Sequence, residues 1–270
     1  MPTSSDTLFE RAGRLIAILA ALALVALTTL PLFALLVRAL EEDLAAQMLD
    51  PSVGAAIRLS LLTTLISAIV ILVTGTPLAY VLARYRFRGR DTLDALIGLP
   101  IVLPPAVAGI ALLMAFGRRG VLGGALTALG ISLPFTTAAV VLAQTFVAAP
   151  FYVRAAKVGF ASVPHELEEM ALGLGASSWQ TFLRVTLPLA RRGLASGLGL
   201  AWARALGEFG ATILFAGNLI GRTQTMPLAI YTGLESDLGA ALAVAILLVG
   251  ISLILMLLLR LVTREVGGLD

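Results

Sequence analysis

The stretch LIAILAALALVALTTLPLFALLV, residues 15–37, runs for 23 residues without an Asp, Glu, Lys or Arg. A helix needs about 20 mostly apolar residues to cross the roughly 30 Å hydrocarbon core of a bilayer. The whole chain has the same character, because 59% of its 270 residues are hydrophobic and 13% are charged. Soluble domains carry about 25% charged residues. The sequence therefore predicts an all-α membrane protein.

Five further segments predict membrane-spanning helices by the same measure of length and charge. Four of them contain no charged residue, and the fifth span along the chain contains Arg204 and Glu208. The six predicted spans are residues 15–37, 59–83, 95–117, 135–153, 193–217 and 238–259. They make residues 1–270 a single transmembrane domain whose termini lie on the same side of the membrane.

The basic residues indicate which side that is, since Lys and Arg accumulate on cytoplasmic connections. Of the 19 basic residues, 13 fall on one side of the six predicted spans. These are Arg11, Arg14, Arg84, Arg86, Arg88, Arg90, Arg154, Lys157, Arg184, Arg191, Arg192, Arg260 and Arg264. We therefore expect a multi-pass protein of a bacterial or archaeal cell (inner) membrane with both termini in the cytoplasm.

The composition excludes most catalytic chemistry on this chain. There is no Cys, His165 is the one histidine, and Lys157 is the one lysine. Metal sites of the Cys or paired-His type and the Gly-rich nucleotide loop ending in Lys-Ser/Thr are therefore absent from the sequence. No basic stretch interleaved with aromatic residues indicates nucleic acid. We expect no catalytic residue, metal site, cofactor or nucleic-acid partner, and any use of ATP must occur on another chain.

The longest predicted cytoplasmic connection, residues 154–192, contains two amphipathic helices by its sequence pattern. Ser162 is expected to cap the first helix, and Gly173 or Gly175 to end it. Leu167, Met170, Ala171 and Leu174 then form one apolar stripe. Ser177 and Gln180 predict a capping box for the second helix, which should run until Pro188. Periodicity alone leaves two interpretations: helices that lie on the membrane surface, or a stripe that docks into a groove on a peripheral protein.

The same connection resembles the EAA loop of ABC importer permeases. Glu169, Ala171, Gly175, Leu187 and Pro188 stand at the spacing of that motif, with Met170 and Val185 in place of Ala and Ile. The resemblance implies a type I ABC importer permease fold and a helix that inserts into a cleft of a cytoplasmic ATPase. The residues expected to couple the chain to that ATPase are Glu166, Leu167, Glu169, Met170, Ala171, Leu174, Gly175, Leu187 and Pro188.

A second resemblance narrows the cargo. The segments ARALGEFGAT, residues 203–212, and AGNLIGRTQTMPLAIY, residues 216–231, resemble the molybdate/tungstate permeases and, more loosely, the sulfate and thiosulfate permeases. This implies import of molybdate or tungstate, with sulfate or thiosulfate as the alternative cargo. The implied partners are a second permease copy in a homodimer, two cytoplasmic ABC ATPase subunits, an extracytoplasmic oxyanion-binding protein and the lipid bilayer.

The predicted fifth span carries the remaining candidate residues. Arg204 and Glu208 are four residues apart on one helical face, which favours an ion pair, although Arg204 facing the oxyanion path is the alternative. Gly207, Thr212 and Asn218 are candidates for the pathway or for close packing within the pore. An ion-coupled secondary transporter would need carboxylates within its spans, and Glu208 is the one available. An intramembrane enzyme lacks the necessary catalytic groups.

Overall fold

The computed structural model describes residues 4–41 and 47–265, which form helices joined by turns. The side chains of Arg11, Arg260 and Arg264, part of the predicted cytoplasmic charge, lie outside the described residues. In chain order the helices are α1 (Ser4–Leu40), α2 (Pro51–Arg84), α3 (Arg90–Val102), α4 (Pro105–Phe116), α5 (Gly123–Ala128), α6 (Thr137–Ala161), α7 (His165–Gly173), α8 (Ser178–Leu206), α9 (Gly210–Ala216), α10 (Met226–Ser236) and α11 (Leu238–Glu265).

Within residues 4–41 and 47–265, four helices are long and apolar enough to cross a membrane: α1, α2, α6 and α11. They overlap the first, second, fourth and sixth predicted spans. The apolar stretch of α1 is entirely exposed, and this helix packs mainly along α11. An apolar surface of that extent is stable only against lipid or another protein, as expected for a chain built for a membrane.

The third predicted span, residues 95–117, is wrong as a single helix. Helices α3 and α4 meet at an angle of 118°. The reason lies in Pro104 and Pro105: Leu103 and Pro104 have extended backbones, and Pro105 begins α4. A proline disfavours helical geometry at the residue before it and supplies no backbone N–H to continue the helix. The uncharged segment 95–117 therefore consists of two helices with a sharp bend between them.

The fifth predicted span, residues 193–217, also consists of two helices. Helix α8 ends at Leu206, α9 begins at Gly210, and the two axes differ by 59°. Gly207 ends α8, and Phe209 precedes α9 with a non-helical backbone. The break lies at Glu208, so the charged residue that sequence analysis placed within a helix lies between two.

The predicted cytoplasmic connection, residues 154–192, includes the ends of two long helices. Helix α6 continues to Ala161, and α8 already begins at Ser178. Only residues 162–177, which include α7, stand between these two helices. We placed the ends of the predicted spans at the first charged residues. A helix can extend beyond the apolar layer into water, so α6 and α8 also contain charged residues.

Helices α6 and α8 cross with their backbones in close contact. A Cβ added at Gly193 would lie 2.6 Å from the Cα of Gly159, and a Cβ at Gly159 would lie 3.0 Å from the Cα of Gly193. Gly197 faces Ala155 of α6 in the same way. Small residues allow two backbones to approach closely, which is the main source of attraction between helices in lipid. The α6–α8 pair is therefore a tight crossing, and α2 packs against both of its helices.

A row of buried polar side chains on α2 faces this crossing. The hydroxyl of Ser67 donates a hydrogen bond to Gln144 of α6 at 3.1 Å, and the indole of Trp202 on α8 donates to Thr64 at 3.0 Å. The hydroxyl of Ser60 accepts a hydrogen bond from the backbone N–H of Met226, the first residue of α10, at 2.7 Å. These bonds fix α2 against three other helices.

Candidate functional site

The predicted coupling stripe lies on α7 and faces away from the protein. Leu167 is 41% exposed, Met170 is 63% exposed and Leu174 is 87% exposed, while Ala171 is partly exposed. The carboxylates of Glu166 and Glu169 are exposed beside them. None of the residues of α7 is buried. Hydrophobic burial within this chain therefore does not explain why the stripe is apolar.

Helix α7 ends through a backbone geometry that requires glycine. Gly175 has a φ of +89°, in the left-handed region. Its N–H donates to the carbonyl of Leu172 at 3.0 Å, and the N–H of Ala176 donates to the carbonyl of Ala171 at 3.0 Å. This pair of bonds is the Schellman arrangement, in which a left-handed residue closes the helix. The glycine of the motif is thus explained by chain geometry.

The predicted cap of α7 needs correction. Ser162 does not cap α7: it ends α6, and its hydroxyl donates to the carbonyl of Gly159 at 2.8 Å. Pro164 is the residue that precedes α7. Pro164 has an extended backbone, and proline at this point suits the start of a helix because no N–H is needed there.

The capping box at the start of α8 is confirmed, but the predicted end at Pro188 is wrong. Ser177 accepts from the N–H of Gln180, and the Gln180 side chain accepts from the N–H of Ser177 at 2.9 Å. A π-helical turn, Phe182–Thr186, precedes Leu187 and Pro188, and the helix continues to Leu206. The wider turn displaces the carbonyls that a proline ring would otherwise strike, so Pro188 is accommodated without ending the helix.

Glu168 holds α7 against the rest of the chain, a role that sequence analysis missed. Its Oε1 atom accepts from Arg84 Nη2 at 2.9 Å and from the hydroxyl of Thr186 at 2.6 Å. The side chains of Arg84 and Glu168 are 5% and 13% exposed. Glu168 is two residues from Met170 and hence on the opposite face of α7. Sequence periodicity gave no signal for this role, because Glu169 also lies away from the stripe and yet stays exposed.

The ion pair predicted from the spacing of Arg204 and Glu208 is confirmed. Arg204 Nη2 lies 2.7 Å from Glu208 Oε2, and the Glu208 side chain is fully buried. The other oxygen, Oε1, accepts from the N–H of Ala211 at 2.8 Å, near the start of α9. The pair therefore spans the break between α8 and α9 instead of lying within one helix. A single carboxylate neutralises Arg204 and satisfies a backbone donor of the next helix.

The other pathway candidates lie in different surroundings. Gly207 is exposed at the end of α8, while Thr212 is fully buried in α9 and its hydroxyl has no hydrogen-bond partner among the described residues. The Asn218 amide nitrogen donates to the hydroxyl of Thr232 at 2.8 Å. The structure thus brings Arg204 and Glu208 together but gives Thr212 and Asn218 separate neighbours. Among the described residues, no group of three His, Cys, Asp or Glu could hold a metal ion.

Comparison with known proteins identifies the family. Residues 75–268 match the family described as "Binding-protein-dependent transport system inner membrane component". This chain belongs to that family. It is accordingly a transport permease of the ABC importer class, a multi-pass component of the inner membrane.

Similar proteins cover most of the chain. The molybdenum transport system permease protein ModB of Mycobacterium tuberculosis is 45% identical over 239 residues, which are 88% of this chain and 90% of that protein. The sulfate transport system permease protein CysT of Escherichia coli is 38% identical over 231 residues, 84% of this chain and 83% of that protein. A permease-like fold is found in the crystal structure of a bacterial ABC transporter involved in the import of the acidic polysaccharide alginate. Its TM-score is 0.75 at 17% identity, covering 97% of this chain and 99% of that chain.

Proposed function

We propose that two copies of this chain form the pore of an ATP-driven importer that carries molybdate or tungstate into the cytoplasm. The observation that carries the proposal is the 45% identity to a molybdenum permease over 88% of the chain, which includes the residues around Glu208 and Asn218. The exposed apolar stripe of α7 supports the same mechanism, because a pore subunit without nucleotide-binding residues must receive movement from another protein.

Movement enters the chain through α7 in this account. Leu167, Met170, Ala171 and Leu174 insert into a cleft of the cytoplasmic ATPase, and Glu166 and Glu169 line the rim of the contact. Gly175 closes the helix, while Leu187 and Pro188 continue α8 toward the membrane. Closure of two ATPase subunits on ATP then moves α7 and, through it, the pore helices between inward-facing and outward-facing arrangements.

The orientation and the oligomer follow from charge and symmetry. Both termini face the cytoplasm. The basic residues near the C-terminal ends of α2 and α6 and in the N-terminal half of α8 lie on the same side as α7, and basic residues accumulate on the cytoplasmic side. A two-fold homodimer offers one docking helix to each of two ATPase subunits. An extracytoplasmic binding protein delivers the oxyanion to the opposite side of the dimer.

The cargo pathway in this proposal lies near the break between α8 and α9. Glu208 already pairs with Arg204, so neither residue offers a full charge to an anion. The hydroxyl of Thr212 has no hydrogen-bond partner among the described residues, so it can donate to an oxyanion, whereas the amide nitrogen of Asn218 already donates to Thr232. A neutral hydroxyl binds an oxyanion weakly enough to release it, and Gly207 is exposed at the end of α8.

Sulfate or thiosulfate is the second candidate cargo, favoured by the 38% identity to a sulfate permease. The test is uptake into proteoliposomes that contain the chain, its ATPase subunits and its binding protein. We expect ATP-dependent uptake of molybdate that tungstate inhibits and sulfate does not. Uptake of sulfate with no inhibition by molybdate would assign the second cargo, and uptake driven by an ion gradient without ATP would contradict the proposal.

A further inference from the structure

The way α7 is attached determines how movement passes through it. The apolar side chains of α7 point outward, and none of its residues is buried. The attachment consists of polar contacts on the opposite face. By contrast, the start of α8 is attached to α2 by aromatic packing, with the ring centres of Tyr80 and Phe182 separated by 5.1 Å. Helix α7 and the π-helical turn are thus anchored to α2 by different means.

The contacts of α7 converge on one carboxylate and one guanidinium group. Arg84, the last residue of α2, donates to Glu168 at 2.9 Å and to the backbone carbonyl of Val163 at 3.0 Å. Thr186, the last residue of the π-helical turn, donates to the same oxygen of Glu168 at 2.6 Å. His165 lies 3.2 Å from Arg84 and 3.6 Å from Glu168. Three segments therefore meet at Glu168: the end of α2, α7 and the π-helical turn.

We propose that Arg84 and Glu168 form a buried latch that fixes the orientation of α7 relative to α2 and α8. Both are positioning residues that act through α7. When the ATPase displaces the stripe around Met170, the latch makes α2 and the π-helical turn move with α7. The inference rests on the proposed function and adds the residues that transmit the movement.

The burial of the latch explains why it transmits force. A charge pair shielded from water is strongly directional, and removal of one partner leaves an uncompensated buried charge. The hydroxyl of Thr186 and the carbonyl of Val163 occupy further hydrogen-bonding positions of the pair, so its geometry is defined from several sides. Another cytoplasmic ion pair, Lys157 with Asp94 at 2.8 Å, joins α6 to α3 and is more exposed, at 27% and 35%.

The test compares four variants with the wild-type complex in proteoliposomes: Arg84→Gln, Glu168→Gln, the double variant, and Lys157→Gln as a matched control. The measured quantity is the amount of molybdate transported per ATP hydrolysed. We expect each latch variant to lower this ratio by about tenfold while ATP hydrolysis persists. A tenfold change lies within the usual range of coupling between two sites. Lys157→Gln should keep the wild-type ratio.

The double variant decides whether the two residues act together. Because they form one unit, Arg84→Gln with Glu168→Gln should be no worse than either single change. Wild-type ratios in both single variants, or effects that multiply in the double variant, would overturn the proposal. If the charge variants do not assemble, Thr186→Val decides instead, since it removes the 2.6 Å hydrogen bond without creating a buried charge, and the ratio should fall.

A second measurement separates this inference from the proposed cargo. Spin labels on Gly173→Cys of α7 and Val73→Cys of α2 report the distance between these helices in the complex, and both sites are exposed on a chain without native cysteine. We expect one narrow distance in the wild-type background and a broad distribution in Glu168→Gln. An unchanged narrow distance contradicts the latch whatever the cargo is, whereas failure of molybdate uptake in the wild-type complex contradicts the proposed function alone.

Discussion

Glu208 shows how one buried side chain can make a charged segment compatible with a membrane. Its two oxygens have separate roles: one pairs with Arg204 at 2.7 Å, and the other accepts the backbone N–H of Ala211 at 2.8 Å. The guanidinium group is thereby neutralised within the protein, and the start of α9 gains a hydrogen-bond acceptor. Two charged residues are tolerated in a predicted membrane span because they contact each other within the protein and not lipid.

Glu208→Ala should therefore destabilise the chain strongly. We expect the free energy of unfolding to fall by about 2 kcal/mol, because the N–H of Ala211 loses its acceptor and Arg204, which is 29% exposed, loses its partner. Thermal unfolding of the purified protein in detergent measures the change.

A matched control is Glu41→Ala, which breaks the exposed pair of Arg38 with Glu41. Exposed pairs contribute little, so the unfolding temperature should stay close to that of the wild type. Equal losses in the two variants would show that burial of Glu208 does not govern its contribution.

The sequence predicted one of the two important ion pairs. Arg204 and Glu208 are four residues apart, and such spacing indicates a contact on any helix-like backbone. Glu168 has its partners 84 residues earlier and 18 residues later in the chain. Local spacing carries no information about contacts of that kind, which depend on how α2, α7 and α8 pack together.

At the scale of the helices, the α6–α8 crossing depends on two glycines that face one another. Gly193→Ala should weaken this crossing, since the new Cβ would lie 2.6 Å from the backbone of Gly159 and neither helix can yield without separating. We expect a lower unfolding temperature and a smaller yield of folded protein, in line with overpacking costs of about 1–3 kcal/mol.

Gly250→Ala on α11 is the control for that prediction. A Cβ at Gly250 meets no atom within 4 Å, so the substitution adds a methyl group in open space. Alanine also favours helix over glycine. The control should unfold at or slightly above the wild-type temperature, and a comparable loss in both variants would contradict the crossing as the stabilising contact.

Gly175 and Gly173 provide a second matched pair, at the end of α7. A Cβ meets no atom within 4 Å at either position, but Gly175 has a φ of +89°. Gly175→Ala should loosen the end of α7 at a cost of about 1–2 kcal/mol, the usual penalty of a left-handed backbone with a side chain. Hydrogen exchange of the amides of α7 measures the loss, and Gly173→Ala should leave exchange unchanged or slower. Equal exchange in the two variants would contradict the role of the backbone geometry.

The helices could be predicted in part. Long apolar stretches revealed α1, α2, α6 and α11, because length and charge suffice to identify a spanning helix. Length and charge do not show where the chain changes direction within an apolar stretch. The 118° bend between α3 and α4 and the 59° bend between α8 and α9 were therefore missed. Pro104 and Gly207 lie at these two breaks, but the angle between the helices there depends on the helices packed around them.

At the scale of the whole molecule, the exposed surface indicates partners beyond this chain. The apolar stretch of α1 is exposed throughout, and the stripe of α7 is exposed on the side away from the other helices. The proposed function assigns lipid or a second permease copy to the first surface and a cytoplasmic ATPase to the second. The sequence predicted the stripe from its periodicity and its resemblance to the EAA loop.

The complex should contain two permease copies. Native mass spectrometry of the detergent-purified complex is expected to find two chains of 28.1 kDa together with two ATPase subunits. This stoichiometry follows because each ATPase subunit needs one α7. A complex with a single permease chain would contradict the homodimer.

The most direct test of the account is a photocrosslinker attached at Met170→Cys, a substitution that introduces the one cysteine of the chain. In the purified complex with ATPase subunits, we predict efficient crosslinking from position 170 to the ATPase, with a yield that changes when ATP is added. The same reagent at Leu129→Cys, which is 73% exposed in the turn after α5, should give no ATPase adduct. If position 170 forms no adduct while the complex hydrolyses ATP and imports its cargo, α7 is not the point at which the motor acts.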